Sequence, residues 1–257
     1  MNTCLNRFFP AALLLTCLMA TIAMCPTQGL SADSDLTFYN DSFETLNEDI
    51  WERAQLTFNE EQLDNFKLGN LEIVDNRLRF STKTGGFSKA GLSSRYVIKG
   101  DFDVQIDCQV EFNRSMSKMD HFINFVALTR AKNFNASQKA IVSLGYRSGR
   151  RGPSISFIHI KNLKREKFKY ERISNFKGSL RLVREGRQVT GYYKPEGSSR
   201  WRALGSSPSF PKKNVMVGLV LQNFAPKRKK IKATRPVEVY FDNFTINRAE
   251  EVIENEI

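Results

Sequence analysis

Strict alternation of apolar and polar residues runs through much of the chain, and it is clearest in DFDVQIDCQVEF, residues 101–112. Every even-numbered position, from Phe102 to Phe112, is apolar, and every odd-numbered position is acidic or an amide. A period of two residues is the pattern of a β-strand that places one face on a core and the other in water. The stretch therefore predicts a long strand with an acidic, amide-rich outer face.

Similar extended segments recur along the chain at short spacing, with Gly, Pro or Asn between them. We predict strands at 71–74, 77–82, 92–98, 101–112, 121–130, 139–147, 154–161, 178–184, 188–194, 200–204, 215–222 and 236–247. Asp75-Asn76 and Glu185-Gly186 predict hairpin turns, and residues 99–101 predict a turn into the long strand. Only residues 59–66 and the tail 248–257 carry any helical pattern. This spacing predicts an all-β sandwich or barrel.

The first 32 residues have the pattern of a secretory signal peptide. Arg7 precedes the apolar run AALLLTCLMATIAM at residues 11–24, and small residues follow up to Ala32. The run is shorter than the ~20 residues that a membrane span requires. We therefore expect an exported protein, periplasmic or secreted, with residues 33–257 forming one domain. Lipoprotein cleavage before Cys25 is the alternative to ordinary cleavage.

Removal of residues 1–32 would leave Cys108 as the one cysteine, on the apolar face of the long strand, where we expect a buried free thiol. The whole chain has 39 Lys and Arg against 27 Asp and Glu, a formal net charge of +12. This balance favours anionic partners. Export makes nucleic acid a poor fit, so we expect no nucleic-acid partner.

Two basic runs could bind anions or could simply be solvated. The first is KNLKREKFKYER at residues 161–172, and the second is APKRKKIKATR at residues 225–235. The second run lies between two predicted strands and should form an exposed loop. Its predicted anion-binding residues are Lys227, Arg228, Lys229 and Lys230.

Three segments resemble one known superfamily. SLRLVREGRQVTGYYKPEGSSRWRAL at residues 179–204 is a meander with a tight glycine turn, a G-Y-Y strand and a following Trp. LTFYNDSFETLNEDIWE at residues 36–52 and VEVYFDNFTIN at residues 237–247 flank it at the two ends of the chain. Together they are similar to the concanavalin A-like lectin/glucanase superfamily, in its laminin-G-like branch. The resemblance implies a jelly-roll sandwich of two antiparallel sheets with adjacent terminal strands, whose concave sheet or rim loops often bind sugars.

The same superfamily includes glycoside hydrolases whose catalytic strand resembles E-x-D-x-x-E. In the present chain the strand keeps Asp107 but has Gln105 and Gln109 beside it. A neutral amide can neither displace a leaving group nor shuttle a proton, and Asp103 and Glu111 would lie ~27 Å apart on an extended strand. These departures argue against that hydrolysis, and they leave a face that either is solvated or hydrogen-bonds a ligand.

Sugar binding requires aromatic rings beside planar polar groups. The candidate ligand-binding residues are Gln105, Asp107, Gln109, Asn124, Tyr146, Arg147, Arg181, Tyr192, Trp201 and Gln222. Our first hypothesis is an exported, non-catalytic, lectin-like module for a glycan, such as an anionic polysaccharide. The alternatives are a glycoside hydrolase with a non-standard active site and a structural or protein-binding module that contacts the cell envelope.

One structural Ca²⁺ is a further hypothesis. If the terminal strands pair as the resemblance implies, Asp41 or Glu44 comes near Asp242, and carboxylates are calcium ligands. The alternative is that these side chains cap backbone N–H groups at strand ends. For His121 and His159, which are far apart in sequence, we expect structural roles rather than a metal site.

Overall fold

The chain is built almost entirely of antiparallel strands. The computed structural model describes residues 36–54, 66–112, 119–129, 137–147, 152–161, 164–207, 209–211, 213–224 and 233–254. These residues begin with a 3₁₀ turn at Leu36–Tyr39 and contain the following strands. They are β1 (Trp51–Arg53), β2 (Phe66–Leu68), β3 (Asn70–Val74), β4 (Arg77–Ser81), β5 (Phe87–Ser94), β6 (Tyr96–Val110), β7 (Asp120–Thr129), β8 (Lys139–Tyr146), β9 (Ser154–Lys161), β10 (Lys164–Arg172), β11 (Phe176–Glu185), β12 (Gln188–Pro195), β13 (Arg202–Ser207), β14 (Val215–Phe224) and β15 (Glu238–Glu254).

Two layers follow from the strand pairing. The layer that we call the β6 sheet has the order β3-β4-β15-β6-β11-β12-β13. The layer that we call the β7 sheet has the order β5-β14-β7-β8-β9-β10, with β1 and β2 on the free side of β5. The two layers are joined where Val215 of β14 pairs with Ile98 of β6. The predicted all-β, two-sheet antiparallel sandwich of the concanavalin A-like type is confirmed.

The core lies between the two layers and takes alternate side chains from each strand. In β6, Phe102, Val104 and Ile106 are fully buried. In β7, Ile123 and Phe125 are buried in the same way and belong to the same apolar cluster. Burial of each such side chain contributes about 1.5–3 kcal/mol, so the alternation fixes which face of each strand points inward.

Local sequence signals placed the β3–β4 hairpin correctly. Asp75 and Asn76 connect the two strands with φ of 51° and 55°. Two consecutive positive φ angles define the type I′ turn, whose twist matches that of the flanking strands, and Asn and Asp tolerate this conformation. The expected free and buried state of Cys108 is also confirmed, and burial raises the pKa of its thiol.

Three local predictions were wrong because strand pairing overrides local pattern. Residues 92–98 do not form one strand, since Arg95 separates β5 from β6. Gly100, with φ of 71°, lies inside β6 rather than in a turn. The tail is not helical up to Glu254, because β15 continues to that residue and pairs with the start of β6, as in the pair of Glu254 and Tyr96.

The basic run at residues 161–172 contains a strand that the sequence pattern did not predict. β10 lies at the edge of the β7 sheet and pairs with β9. Its alternation is masked by charged residues, and charges on an edge strand discourage pairing with other chains. Ser34–Ile257 forms one compact unit. In the part of the chain that the structure describes, no helix is long and apolar enough to cross a membrane.

Candidate functional site

The polar row of β6 lies on the outer face of the β6 sheet, as its alternation predicted. Asp103, Gln105, Asp107 and Gln109 point away from the core, between β15 on one side and β11 on the other. Side chains that are directly opposite each other in an antiparallel pair share a face. The neighbours of this row in β11 and β15 therefore complete the surface.

A pocket of about 310 Å³ opens at the Asp107 and Gln109 end of this row. Arg77 Nη1 donates to Gln109 Oε1 at 3.1 Å, and the Arg77 guanidinium carbon lies 4.6 Å from the centre of the Tyr240 ring. Ser179 Oγ donates to Asp107 Oδ1 at 2.6 Å. The pocket thus joins an aromatic ring, a guanidinium, an amide and a carboxylate. The residues Lys177, Gly178, Lys194, Glu196 and Asp242 complete much of its lining.

Asp242 is the carboxylate that faces Asp107 directly, because the two are paired in the register of β15 and β6. Burial raises the pKa of Asp242, and the negative charge of Asp107 raises it further, against a backbone hydrogen bond from Asn243 and the charge of Arg77. Asn243 Nδ2 also donates to Asp107 Oδ2 at 3.1 Å. Sequence reasoning treated Asp107 as a lone carboxylate, since strand pairing across 135 positions is not visible in local patterns.

Farther along the same face, Arg181 forms an ion pair with Asp103 and also lies near two aromatic rings. Its Nε donates to Asp103 Oδ1 at 2.7 Å, and its Nη2 makes a second contact with Asp103 Oδ2. Its guanidinium carbon is 5.9 Å from the centre of the Tyr192 ring and 5.3 Å from that of Trp201. Lys194 Nζ lies 4.9 Å from the Trp201 ring centre. Six predicted ligand-binding residues therefore share this face, namely Gln105, Asp107, Gln109, Arg181, Tyr192 and Trp201.

Asn124 and Gln222 lie on the other side of the molecule, so the core separates them from the six candidates of the β6 sheet. They line a groove of about 370 Å³ on the outer face of the β7 sheet. Asn124 pairs with Ser143 of β8, and Gln222 pairs with Phe122. These two candidates cannot contact a ligand together with the β6 row, because their strands belong to the opposite layer.

Tyr146 is a core residue and not an exposed sugar-stacking ring. It is buried in the apolar cluster, next to His121, with ring centres 6.3 Å apart. The alternation of β8 explains this, because Ile141 and Ser143 line the groove and the residues between them point inward. Arg147 follows the strand, and its guanidinium carbon lies 5.3 Å from the centre of the Phe122 ring. Tyr146 therefore belongs to neither outer face.

The described residues do not fit the predicted calcium site. Asp41 Oδ1 accepts a hydrogen bond from the Phe43 N–H at 2.7 Å, and Oδ2 accepts one from Trp51 Nε1 at 2.9 Å. Asp242 Oδ1 accepts the Asn243 N–H at 2.8 Å, which is the capping alternative. Glu44 is exposed, and among described residues no group of three or more His, Cys, Asp or Glu converges on one point. Calcium binding stays a prediction that this geometry does not support.

Several predicted features lie outside the described residues. They are the signal peptide at residues 1–32, the alternative lipoprotein site at Cys25, and the anion-binding loop of Lys227, Arg228, Lys229 and Lys230. The other residues that line the pocket, such as Arg77 and Tyr240, were missed by sequence reasoning. The alternation of VEVYFDNF could have found Tyr240 and Asp242, because it places both on the outer face.

Solved structures with the same fold come from bacteria and a phage. A beta-glucanase from Bacillus licheniformis is 10% identical with a TM-score of 0.58, over 81% of this chain and 97% of that chain. The CBM2 module of the evolved Dit of Lactobacillus casei BL23 phage J-1 is 11% identical with a TM-score of 0.53, over 82% and 95%. A glycoside hydrolase family 16 endo-glucanase from Bacteroides ovatus is 10% identical with a TM-score of 0.54, over 81% and 99%.

At these identities the likeness establishes the jelly-roll fold and nothing about activity. A search of curated protein sequences gives no significant match. One family model, described as "Protein of unknown function (DUF1583) C domain", matches residues 77–252, which is more than half of the chain and includes every residue that lines the Asp107 pocket. The chain therefore belongs to the DUF1583 C-domain family.

Proposed function

We propose that this protein is a non-catalytic, glycan-binding module and that the pocket beside Asp107 and Gln109 is its sugar site. The observation that carries the proposal is the meeting of the Tyr240 ring and the Arg77 guanidinium with the Gln109 amide and the Asp107 carboxylate in one pocket. The glycan-related names of the structural neighbours, a glucanase, an endo-glucanase and a CBM2 module, support it.

The chemistry of this pocket suits a sugar. Carboxylate and amide oxygens accept hydrogen bonds from hydroxyl groups, and guanidinium and ammonium groups donate to ring and hydroxyl oxygens. An aromatic ring offers an apolar face for the C–H side of a sugar. The second group of rings, Tyr192 and Trp201, lies farther along the same face and could extend the contact to a longer chain. We therefore expect an oligosaccharide rather than a monosaccharide to bind best.

The ligand that we favour is an anionic polysaccharide, with export to the periplasm or beyond as part of the same proposal. Three basic side chains line the pocket, Arg77, Lys177 and Lys194. The Lys177 Nζ forms an ion pair of 2.6 Å with Glu196, which also lines the pocket. A ligand with uronate or sulfate groups would add negative charge where the chain as a whole carries an excess of positive charge.

The test is a glycan array followed by calorimetry on the strongest ligand. We expect Tyr240→Ala and Gln109→Ala to weaken binding at least tenfold while the melting curve stays cooperative. The matched control is Gln222→Ala, which removes the same amide from the opposite face and should leave the affinity within twofold. Failure to bind any glycan would overturn the proposal. Loss of binding in Gln222→Ala alone would overturn the assigned site.

A second candidate function rests on the facing pair of Asp107 and Asp242. Opposed residues of an antiparallel pair have Cβ atoms about 4.5–5.5 Å apart. Retaining glycosidases place two carboxyl groups about 5–5.5 Å apart, and the raised pKa of Asp242 would suit the acid of such a pair. Release of reducing ends from a bound polysaccharide, abolished by Asp107→Asn and by Asp242→Asn, would favour this alternative. Unchanged binding without release of reducing ends would exclude it.

A further inference from the structure

We propose that the groove on the outer face of the β7 sheet binds a single-chain fatty acid. The acyl chain would lie on the aliphatic floor, and the carboxylate would lie between Lys139 and Arg165. This site is separate from the glycan pocket and is independent of that proposal, because the apolar core separates the two faces.

The floor of the groove is aliphatic on a face that an ordinary antiparallel sheet presents to water. Strand register aligns Gly218, Val126, Ile141 and Ile158 in one row across four strands. Met216, Leu128, Lys139, Ile160 and Arg165 form the next row. Outer faces of antiparallel sheets are normally polar. One fully apolar row beside a second row that combines three apolar side chains with two cations therefore indicates an apolar ligand with an anionic head group.

The same groove is poorly suited to a sugar. Phe122 is the one aromatic side chain among the described residues that line it. Its ring packs over Gly145, where an added Cβ would lie 2.9 Å from the ring, and Arg147 lies on the ring at 5.3 Å. The ring is therefore engaged within the protein, and the described lining contains no carboxylate to accept sugar hydroxyl groups. An aliphatic ligand fits this chemistry better than a carbohydrate does.

Two cationic side chains, Lys139 and Arg165, lie at one side of the groove, where we place the carboxylate of the ligand. Lys139 and Arg165 flank Ile160 from the two neighbouring strands, which puts their backbones ~10 Å apart at the usual strand spacing. A guanidinium and an ammonium at this separation can both reach one carboxylate, and Arg binds carboxylates through two parallel hydrogen bonds. At the β5 side, Lys89 is the one charged side chain among the described residues that line the groove, so that side offers one cation where the β8 and β10 side offers two. The ligand is therefore oriented with its tail toward β14 and β5.

The experiment measures octanoate, decanoate and dodecanoate by calorimetry below their micelle concentrations. We expect the Kd to fall about fourfold for each added methylene, which corresponds to ~0.8 kcal/mol of burial. Val126→Thr keeps the shape of the side chain but adds a hydroxyl group to the floor, and it should weaken decanoate about tenfold. Leu128→Asn should have a larger effect, and thermal melts of both variants report whether the fold is retained.

A head-group variant tests the orientation. Arg165→Gln should weaken octanoate about tenfold and leave 1-octanol within twofold. The matched control is Lys164→Gln, which removes a cation from the neighbouring position of β10, on the other side of the strand. Absence of binding, affinity that does not change with chain length, or equal loss in Arg165→Gln and Lys164→Gln would each overturn the proposal. Gln109→Ala, in the glycan pocket, should leave fatty-acid binding unchanged.

Discussion

His121 is a buried histidine, and among the residues that the structure describes neither of its ring nitrogens has a hydrogen-bond partner. Burial penalises the imidazolium, which lowers the pKa of His121 to about 4. In the unfolded chain, His121 has the ordinary pKa of about 6.5. Between about pH 6.5 and pH 4 the unfolded chain therefore binds a proton on His121 that the folded chain does not bind. Stability should fall as the pH drops from about 6.5 to about 4, by up to about 3 kcal/mol, and this contribution should not change below that range.

Urea unfolding at pH 7, 5.5 and 4.5 measures this effect. His121→Leu should be less pH-dependent than the wild type, because carboxylates titrate alike in both proteins and cancel in the comparison. The variant should therefore gain relative stability as the pH falls. Parallel stability curves for the two proteins would show that His121 has the same pKa in the folded and unfolded chains, and this would contradict the prediction.

Asp41 shows how a single carboxylate can organise the segment from residue 41 to residue 51. It accepts hydrogen bonds from the Phe43 backbone and from the buried indole of Trp51, while its own backbone pairs with Phe244. Asp41→Ala leaves two buried N–H groups unsatisfied and should cost about 2–4 kcal/mol in the free energy of unfolding. The fluorescence of Trp51 in the Asp41→Ala variant should shift to longer wavelength. Glu44→Ala, at an exposed position, should stay within about 0.5 kcal/mol of the wild type.

At the scale of the strand, Gly178 is a position that no other residue can fill without movement. Its φ is 153°, and an added Cβ would lie 2.2 Å from the backbone oxygen of Lys194 in the paired strand. Gly178→Ala should destabilise the protein by about 1–3 kcal/mol and weaken glycan binding, because Gly178 and the displaced strand both line the pocket. Gly186→Asn is the control, since its φ of 59° suits Asn and a Cβ there meets nothing within 4 Å. Denaturation midpoints and calorimetry measure both effects, and equal stability of the two variants would contradict the prediction.

Alternation predicted individual strands well because each strand has one buried face. It predicted which residues of β6 share a face, and the structure confirms the division between Val104 and Ile106 inside and the Gln and Asp residues outside. It could not predict which strands are neighbours. The pairing of Asp107 with Asp242 and the separation of Asn124 from Gln105 both depend on contacts between distant segments, which local patterns do not record.

At the scale of the whole molecule, the two outer faces of the sandwich have different chemistry. The β6 sheet alternates cleanly and presents carboxylates, amides and cations. In the β7 sheet, segments such as INFVAL at residues 123–128 and AIVSL at residues 140–144 place apolar side chains, Val126, Leu128 and Ile141, on the outer face as well as on the core face. The resemblance to the concanavalin A-like superfamily gave the architecture correctly, but it did not show that the polar row and the groove belong to opposite layers.

Net charge is also a property of the whole molecule, and it predicts how salt affects ligand choice. The formal charge of +12 raises the local concentration of any polyanion, and the cations of the glycan pocket act at close range. An anionic glycan should therefore lose about tenfold in affinity between 50 and 300 mM NaCl, because salt screens charges beyond ~10 Å and competes for the contacts. A neutral glycan of the same backbone should change less than twofold.

Two variants separate the local contribution from the global one. Lys194→Gln removes a pocket cation and should make the dependence of affinity on salt less steep. Lys99→Gln removes the same charge from an exposed pair with Glu251 on β6 and β15, outside the pocket, and should leave that dependence nearly unchanged. Calorimetry of the three proteins across the salt series measures the slopes. If both variants reduce the slope equally, the attraction is due to net charge alone and the pocket does not select anionic glycans.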